Sequence, residues 1–174
     1  MGPYRGALRR VIRQLKFRGG SNLARPLGAR LAGRVRHGPH GPMDVDLVVP
    51  VPLHWLRRWK RGYNQAALVA APVASALGVP LEPRGLRRLR HTPTQSGRGR
   101  AGRATNLGGA FASDAGRVRG ARVLLVDDVV TTGSTLRACA RELASAGALE
   151  VRGAVVARTL RGKLPANGSE QETQ

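Results

Sequence analysis

Two adjacent carboxylates, Asp127 and Asp128, follow four apolar residues, Val123 to Val126, and precede a hydroxyl-rich turn, Thr131-Thr132-Gly133-Ser134-Thr135. The apolar run reads as a short buried strand. In an open α/β sheet the carboxyl ends of the strands form the edge where ligands bind. The threonines and glycine fall where a helix should begin, and free N–H groups at a helix start, with the positive end of its dipole, cradle phosphate. Gly133 lets the backbone approach closely, and the hydroxyls add hydrogen bonds. The paired acids suit ribose hydroxyls or a hydrated magnesium. The turn is not a P-loop, because G-x-x-x-x-G-K-[ST] is absent. A strand, an acidic turn and a capped helix also occur as plain structure in many α/β proteins. Two carboxylates ahead of a phosphate cradle favour a sugar-phosphate site.

The rest of the chain must position these groups. Its 174 residues suit one domain, at roughly 100–200 residues per domain. A single domain over residues 1–164 with a disordered tail at 165–174 is expected. Hydrophobic residues are 41% and aromatic ones only 3%, so the core must be built from Val, Leu and Ala. No apolar run approaches the roughly 20 residues of a membrane span, and the N-terminus lacks signal-peptide features. A cytoplasmic protein with no membrane partner is expected. Cys139 is the only cysteine and reads as a small buried hydrophobe. The 30 Lys and Arg against 10 Asp and Glu give a formal charge of +20. Such a field attracts phosphates or nucleic acid, although the Arg, Gly and Ala richness also fits a coding bias.

Tyr4, Leu8, Val11, Ile12 and Leu15 recur at helical spacing, and Gly19-Gly20 stops that helix. Ser21 or Asn22 can cap a second helix carrying Leu23, Leu27, Leu31 and Val35. Val45 to Val49 reads as a buried strand running into Pro50-Val51-Pro52. Asn64 to Leu77 is an Ala-rich helix that Pro72 should kink or break. Residues 81–90 suit a strand with a basic edge, and 91–109, nearly free of apolar residues, suits a long mobile loop with a function. Arg122–Val126 and Val151–Ala157 read as strands around a helix at Ser134–Ala146. This alternation implies a mainly parallel sheet covered on both faces.

The segment Val123 to Thr135 resembles the phosphoribosyl-pyrophosphate (PRPP) signature of type I phosphoribosyltransferases. Tyr4-Arg5-Gly6, Leu15-Lys16-Phe17, Val49 to His54, Arg61-Gly62-Tyr63-Asn64-Gln65-Ala66 and the spacing of Thr92, Gln95, Arg103, Asn106 and Phe111 resemble the ComF/GntX family of competence-type members. That resemblance implies the type I phosphoribosyltransferase fold, an α/β fold with a mobile hood loop at 91–109. It implies that Asp127 and Asp128 bind the ribose hydroxyls and that Thr131, Thr132, Gly133, Ser134 and Thr135 bind the 5-phosphate. Pro52, Leu53, His54 and Arg61 would form the pyrophosphate loop, with Arg57 and Arg58 further candidates. Gln95 and Arg103 would close from the hood.

The implied reaction is Mg2+-dependent transfer of phosphoribose to an unidentified nucleobase, the magnesium arriving with PRPP and having no direct protein ligand. Enzymes acting on 6-oxopurines carry an aspartate where this chain has Thr131, which disfavours hypoxanthine and guanine. The competing expectation is a non-catalytic PRPP sensor, or a module of DNA uptake meeting single-stranded DNA or a competence helicase. In that case the clusters Arg84, Arg87, Arg88 and Arg90 and Arg5, Arg9, Arg10 and Arg13 would carry the phosphate contacts. A homodimer stays open. The N-terminal zinc module common in the family is expected to be lacking.

Overall fold

The structure is a computed structural model that describes residues 2–17, 20–38, 44–90 and 108–159. Gln95 and Arg103, nearly all of the expected hood loop and the expected tail lie outside the described residues. So do the side chains of Arg57 and Arg58.

Four parallel strands form the central sheet in the order β1-β6-β5-β2. They are β1 (Gly2–Pro3), β2 (Leu47–Pro50), β5 (Arg122–Val130) and β6 (Glu150–Arg158). Leu81 adds an isolated parallel bridge to Val48 on the outer side of β2. Alternation along β5 divides the interior into two cores. Leu124 and Val126, with Val48, Ala154 and Val156, face three helices: α1 (Gly6–Leu15), α2 (Ala24–His37) and α4 (Gln65–Leu77). Val123, Leu125 and Val49 face the opposite way, towards α6 (Ser134–Ser145), the short α5 (Ala115–Val118) and a separate antiparallel hairpin. That hairpin pairs β3 (Leu86–Arg88) with β4 (Phe111–Ser113). Burial on both faces explains why the strands read as continuous apolar runs.

Several expectations change. β5 does not end at Val126 but continues through both acids to Val130, because β6 keeps pairing with it to Arg158. Pro72 does not break α4; its ring packs into the space left by Gly28 of α2, where a Cβ would lie 2.2 Å from Pro72 Cγ. Neither Ser21 nor Asn22 caps α2. A 3-10 turn at Ser21–Leu23 leads into it, and no side chain bonds its first N–H groups. The expected strand at 81–90 is split between the Leu81 bridge and the hairpin. Strand β1 and the helices α3 (Trp55–Arg61) and α5 had no periodic signal. Cys139 is fully buried, as its small apolar character suggested.

Candidate functional site

The last residue pair joining β2 to β5 is Pro50 with Val126, whereas β5 runs on beside β6 as far as Val130. Asp127 and Asp128 therefore extend past the end of β2. The chain leaves β2 through α4 towards Leu81, and leaves β5 through α6 towards β6, in opposite directions along the sheet. Such a reversal opens a crevice at the carboxyl ends of the two strands, the usual ligand position in this architecture.

The two acids do not share one environment. Asp128 is buried, 4% exposed, on the side of α1. Its Oδ1 accepts from Val129 N at 2.8 Å, and its Oδ2 lies 2.9 Å from Lys16 Nζ, an ion pair in distance but without good hydrogen-bond geometry. Asp127 Oδ1 accepts from the Asp128 N–H at 2.8 Å. Part of Asp127 reaches the surface, yet its carboxyl is enclosed by protein on most sides. Burial, with the Asp128 charge adding to it, pushes that carboxyl well above the ordinary 3.8. Burial and then the charge of Asp127 also push up the Cys139 thiol of α6. An inert buried thiol follows.

The hydroxyl turn stands directly after β5. Gly133 is the N-cap of α6 with φ +76°, a left-handed conformation that favours glycine. Thr132 Oγ1 and Ser134 Oγ are 2.9 Å apart, and no side chain bonds the helix from its cap position. Thr131 is exposed, while Thr132, Ser134 and Thr135 are half-buried. Arg137 leans over this turn, since a Cβ on Gly133 would lie 2.9 Å from its Nη1. A cation in a helix's first turn opposes the macrodipole, so an anion at the turn would offset it.

Opposite the acids, the segment after β2 carries Pro52 and Leu53, half-buried, and His54, buried. His54 Nδ1 accepts from Leu56 N at 3.3 Å, and its ring lies against that of Trp55. Trp55 and Trp59 are exposed. Arg61 donates to Gln65 Oε1 at 3.0 Å, so in this conformation the guanidinium is engaged along its own chain segment. Asn64 caps α4 through Ala66 N at 3.1 Å, and its Nδ2 donates to Val51 O at 3.0 Å. Tyr63 Oη reaches the carbonyls of Leu15, at 2.9 Å, and Phe17. The segment 61–66 is thus a clasp that joins the end of α1 to the loop after β2.

Lys16 and Arg137 were not singled out from the sequence. Lys16 stood only as part of the segment Leu15-Lys16-Phe17, and a basic residue three positions into a helix that begins at a phosphate turn was the available sign of Arg137. A cavity of about 380 Å³ lies elsewhere, between α1, α2 and Val156, and shares no residue with the acids or the turn. Among the described residues no group of three His, Cys, Asp or Glu could hold a metal. No helix among them is long and apolar enough to cross a membrane.

The model of the phosphoribosyl transferase domain matches residues 64–173, well over half of the chain. Competence protein F of Haemophilus influenzae is 35% identical over 156 residues, spanning 87% of this chain and 68% of that protein. The DNA utilization protein YhgH of Escherichia coli K12 is 36% identical over 162 residues, spanning 92% of this chain and 71% of its own length. Among solved structures, the glutamine PRPP amidotransferase of B. subtilis, complexed with ADP and GMP, superposes with a TM-score of 0.55 at 26% identity. That match covers 79% of this chain and 26% of the amidotransferase chain.

Proposed function

The chain belongs to the phosphoribosyl transferase family, among the relatives of competence protein F and the DNA utilization proteins, and from that premise we propose that it binds PRPP and transfers its phosphoribosyl group to a nucleobase. The observation that carries this reading is the continuation of β5 beyond the end of β2. It sets Asp127 and Asp128 at a sheet switch point, directly before the open helix start at Gly133.

In this reading the first N–H groups of α6, the hydroxyls of Thr132, Ser134 and Thr135 and the guanidinium of Arg137 hold the 5-phosphate. Thr131, exposed at the rim, leaves no carboxylate for a purine N7. Asp127 and Asp128 accept hydrogen bonds from the ribose hydroxyls. The loop with Pro52, Leu53 and His54 faces the diphosphate, and Gln95 and Arg103 belong to the hood. A base nitrogen forms its bond to the anomeric carbon as the carbon–oxygen bond to diphosphate breaks, the electron pair leaving with diphosphate. Positioning and electrostatics supply the catalysis, with no side-chain nucleophile.

Magnesium fits this site. Carboxylate oxygens with phosphates and water are its preferred ligands, and a cation, the Lys16 ammonium, already stands against Asp128. Carried by PRPP, magnesium would meet Asp127 and Asp128 through its water, without a direct protein ligand, and would supply neutralising charge to the departing diphosphate. The test is calorimetry with PRPP and magnesium, followed by a nucleobase panel assayed for pyrophosphate release. Asp127→Asn with Asp128→Asn should abolish PRPP binding. Binding without turnover on any base would turn the reading to a PRPP sensor, and no binding by the unaltered protein would overturn it.

A second reading rests on the exposed arginines Arg9, Arg10 and Arg13 on α1 and Arg5 just before it and on the relatives' DNA-related names. In it, that face meets single-stranded DNA in DNA uptake.

A further inference from the structure

We propose that Lys16 is a diphosphate-binding residue of the PRPP pocket, held in reserve on Asp128 until the ligand arrives. The inference rests on the PRPP reading above and gives a role to a residue that the segment Leu15-Lys16-Phe17 contains without one.

Three separate parts of the chain cooperate to hold this ammonium. Lys16 is the residue after the last turn of α1, and Ile12 and Leu15, both fully buried, fix that helix to the core. The carbonyls on either side of Lys16, from Leu15 and Phe17, both face the Tyr63 hydroxyl. Gly20 N–H donates to Phe17 O at 3.1 Å, and a Cβ on Gly20 would lie 2.0 Å from Gln14 O. A larger residue is therefore refused there. The main chain at Lys16 is fixed, while the side chain keeps 28% of its surface. The result is a rigid base with a side chain that can swing.

Where it can swing follows from the clasp. Asn64, next to Tyr63, is bonded to Val51 O in the loop after β2. Lys16 is thus tied, through adjacent residues, to the loop that faces the diphosphate, while its ammonium touches the acid that faces the ribose. Asp128 is 4% exposed and its Oδ2 lies 2.9 Å from the ammonium, so a ribose hydroxyl that bonds this oxygen displaces the ammonium from it. A PRPP molecule brings hydroxyls and a hydrated cation to Asp128 and a diphosphate beside it. The displaced ammonium then exchanges one carboxylate for several phosphate oxygens, and both charges stay compensated.

The experiment is calorimetry of the full chain with PRPP and magnesium, for the unaltered protein, Lys16→Met and Lys16→Arg, with ribose 5-phosphate as the ligand lacking a diphosphate. Lys16→Met should weaken PRPP by about tenfold or more, roughly one charge-assisted hydrogen bond. Lys16→Arg should recover part of the loss, and the response to ribose 5-phosphate should stay the same in all three. If Lys16→Met leaves Asp128 uncompensated and the protein fails to fold, Lys16→Met in an Asp128→Asn background is compared with Asp128→Asn alone, using magnesium pyrophosphate as probe. A loss from removing Lys16 is expected there too. Unchanged PRPP affinity, no recovery with arginine, or an equal loss of ribose 5-phosphate overturns the assignment and leaves the PRPP reading standing. Failure of the unaltered protein to bind PRPP overturns that reading itself, and this one with it.

Discussion

Removing the side chain of Asn64 should loosen the pocket without touching any ligand. Its Oδ1 accepts from Ala66 N at 3.1 Å and caps α4, and its Nδ2 donates to Val51 O at 3.0 Å. Loss of an N-cap costs about 1 kcal/mol. Leaving the Val51 carbonyl, in a buried residue, without its donor costs about 1–2 kcal/mol more. Asn64→Ala should therefore destabilise the protein by about 2–3 kcal/mol, or roughly 4–12 °C in Tm for a chain of this size. Asn64→Ser separates the two terms, because serine still caps the helix but cannot donate to Val51. It should lose only the Val51 contribution, about 1–2 kcal/mol, and so fall between the unaltered protein and the alanine variant. Urea unfolding read by circular dichroism measures both, with a shifted midpoint and an unchanged slope. On the proposed reading, PRPP affinity measured on the folded variants should fall in the same order, because Val51 begins the loop proposed to face the diphosphate. Equal losses for Ser and Ala would show that the cap contributes nothing. A loss under about 0.5 kcal/mol for Asn64→Ala would refute the clasp, since surface changes without such a role fall in that range.

Two further expectations follow from charge. The Asp127 carboxyl is raised in the folded protein by burial, so folding loses stability as pH climbs above the unfolded value of 3.8, where the unfolded chain ionises and the folded one resists. Asp127→Asn should raise Tm at neutral pH, and the gain should vanish near and below pH 3.8; a gain independent of pH would refute the cause. On the DNA reading, binding of single-stranded DNA should weaken steeply with salt, and Arg9→Glu with Arg13→Glu should weaken it further and reduce the slope. Salt-insensitive binding in a fluorescence anisotropy titration would refute the phosphate contacts.

Much of the frame was legible because it depends on local pattern. The helical spacing of Tyr4 to Leu15 placed α1, and the four apolar residues from Val123 placed the start of β5. Gly133 between hydroxyls placed the start of α6. All of these are signals within one turn or one short strand, where the period of the side chains reveals the face they bury. Pro72 misled because the rule it breaks is also local. The space that accepts its ring comes from Gly28, on another helix.

The amino-acid sequence by itself determined which residues could bind a sugar phosphate: two acids, a glycine turn and its hydroxyls, in that order along the chain. Only the tertiary structure decided their surroundings. Parallel pairing with β6 extended β5 through the acids, and the end of β2 at Pro50 left them without a β2 partner, at the edge where strands of this architecture take ligands. Packing of α1 brought Lys16 to within 2.9 Å of Asp128, and Tyr63 fixed it there. The reason is that a side chain's type fixes which bonds it can make, while its partner, its burial and so its charge state depend on segments distant in sequence that meet only when the sheet and its helices close.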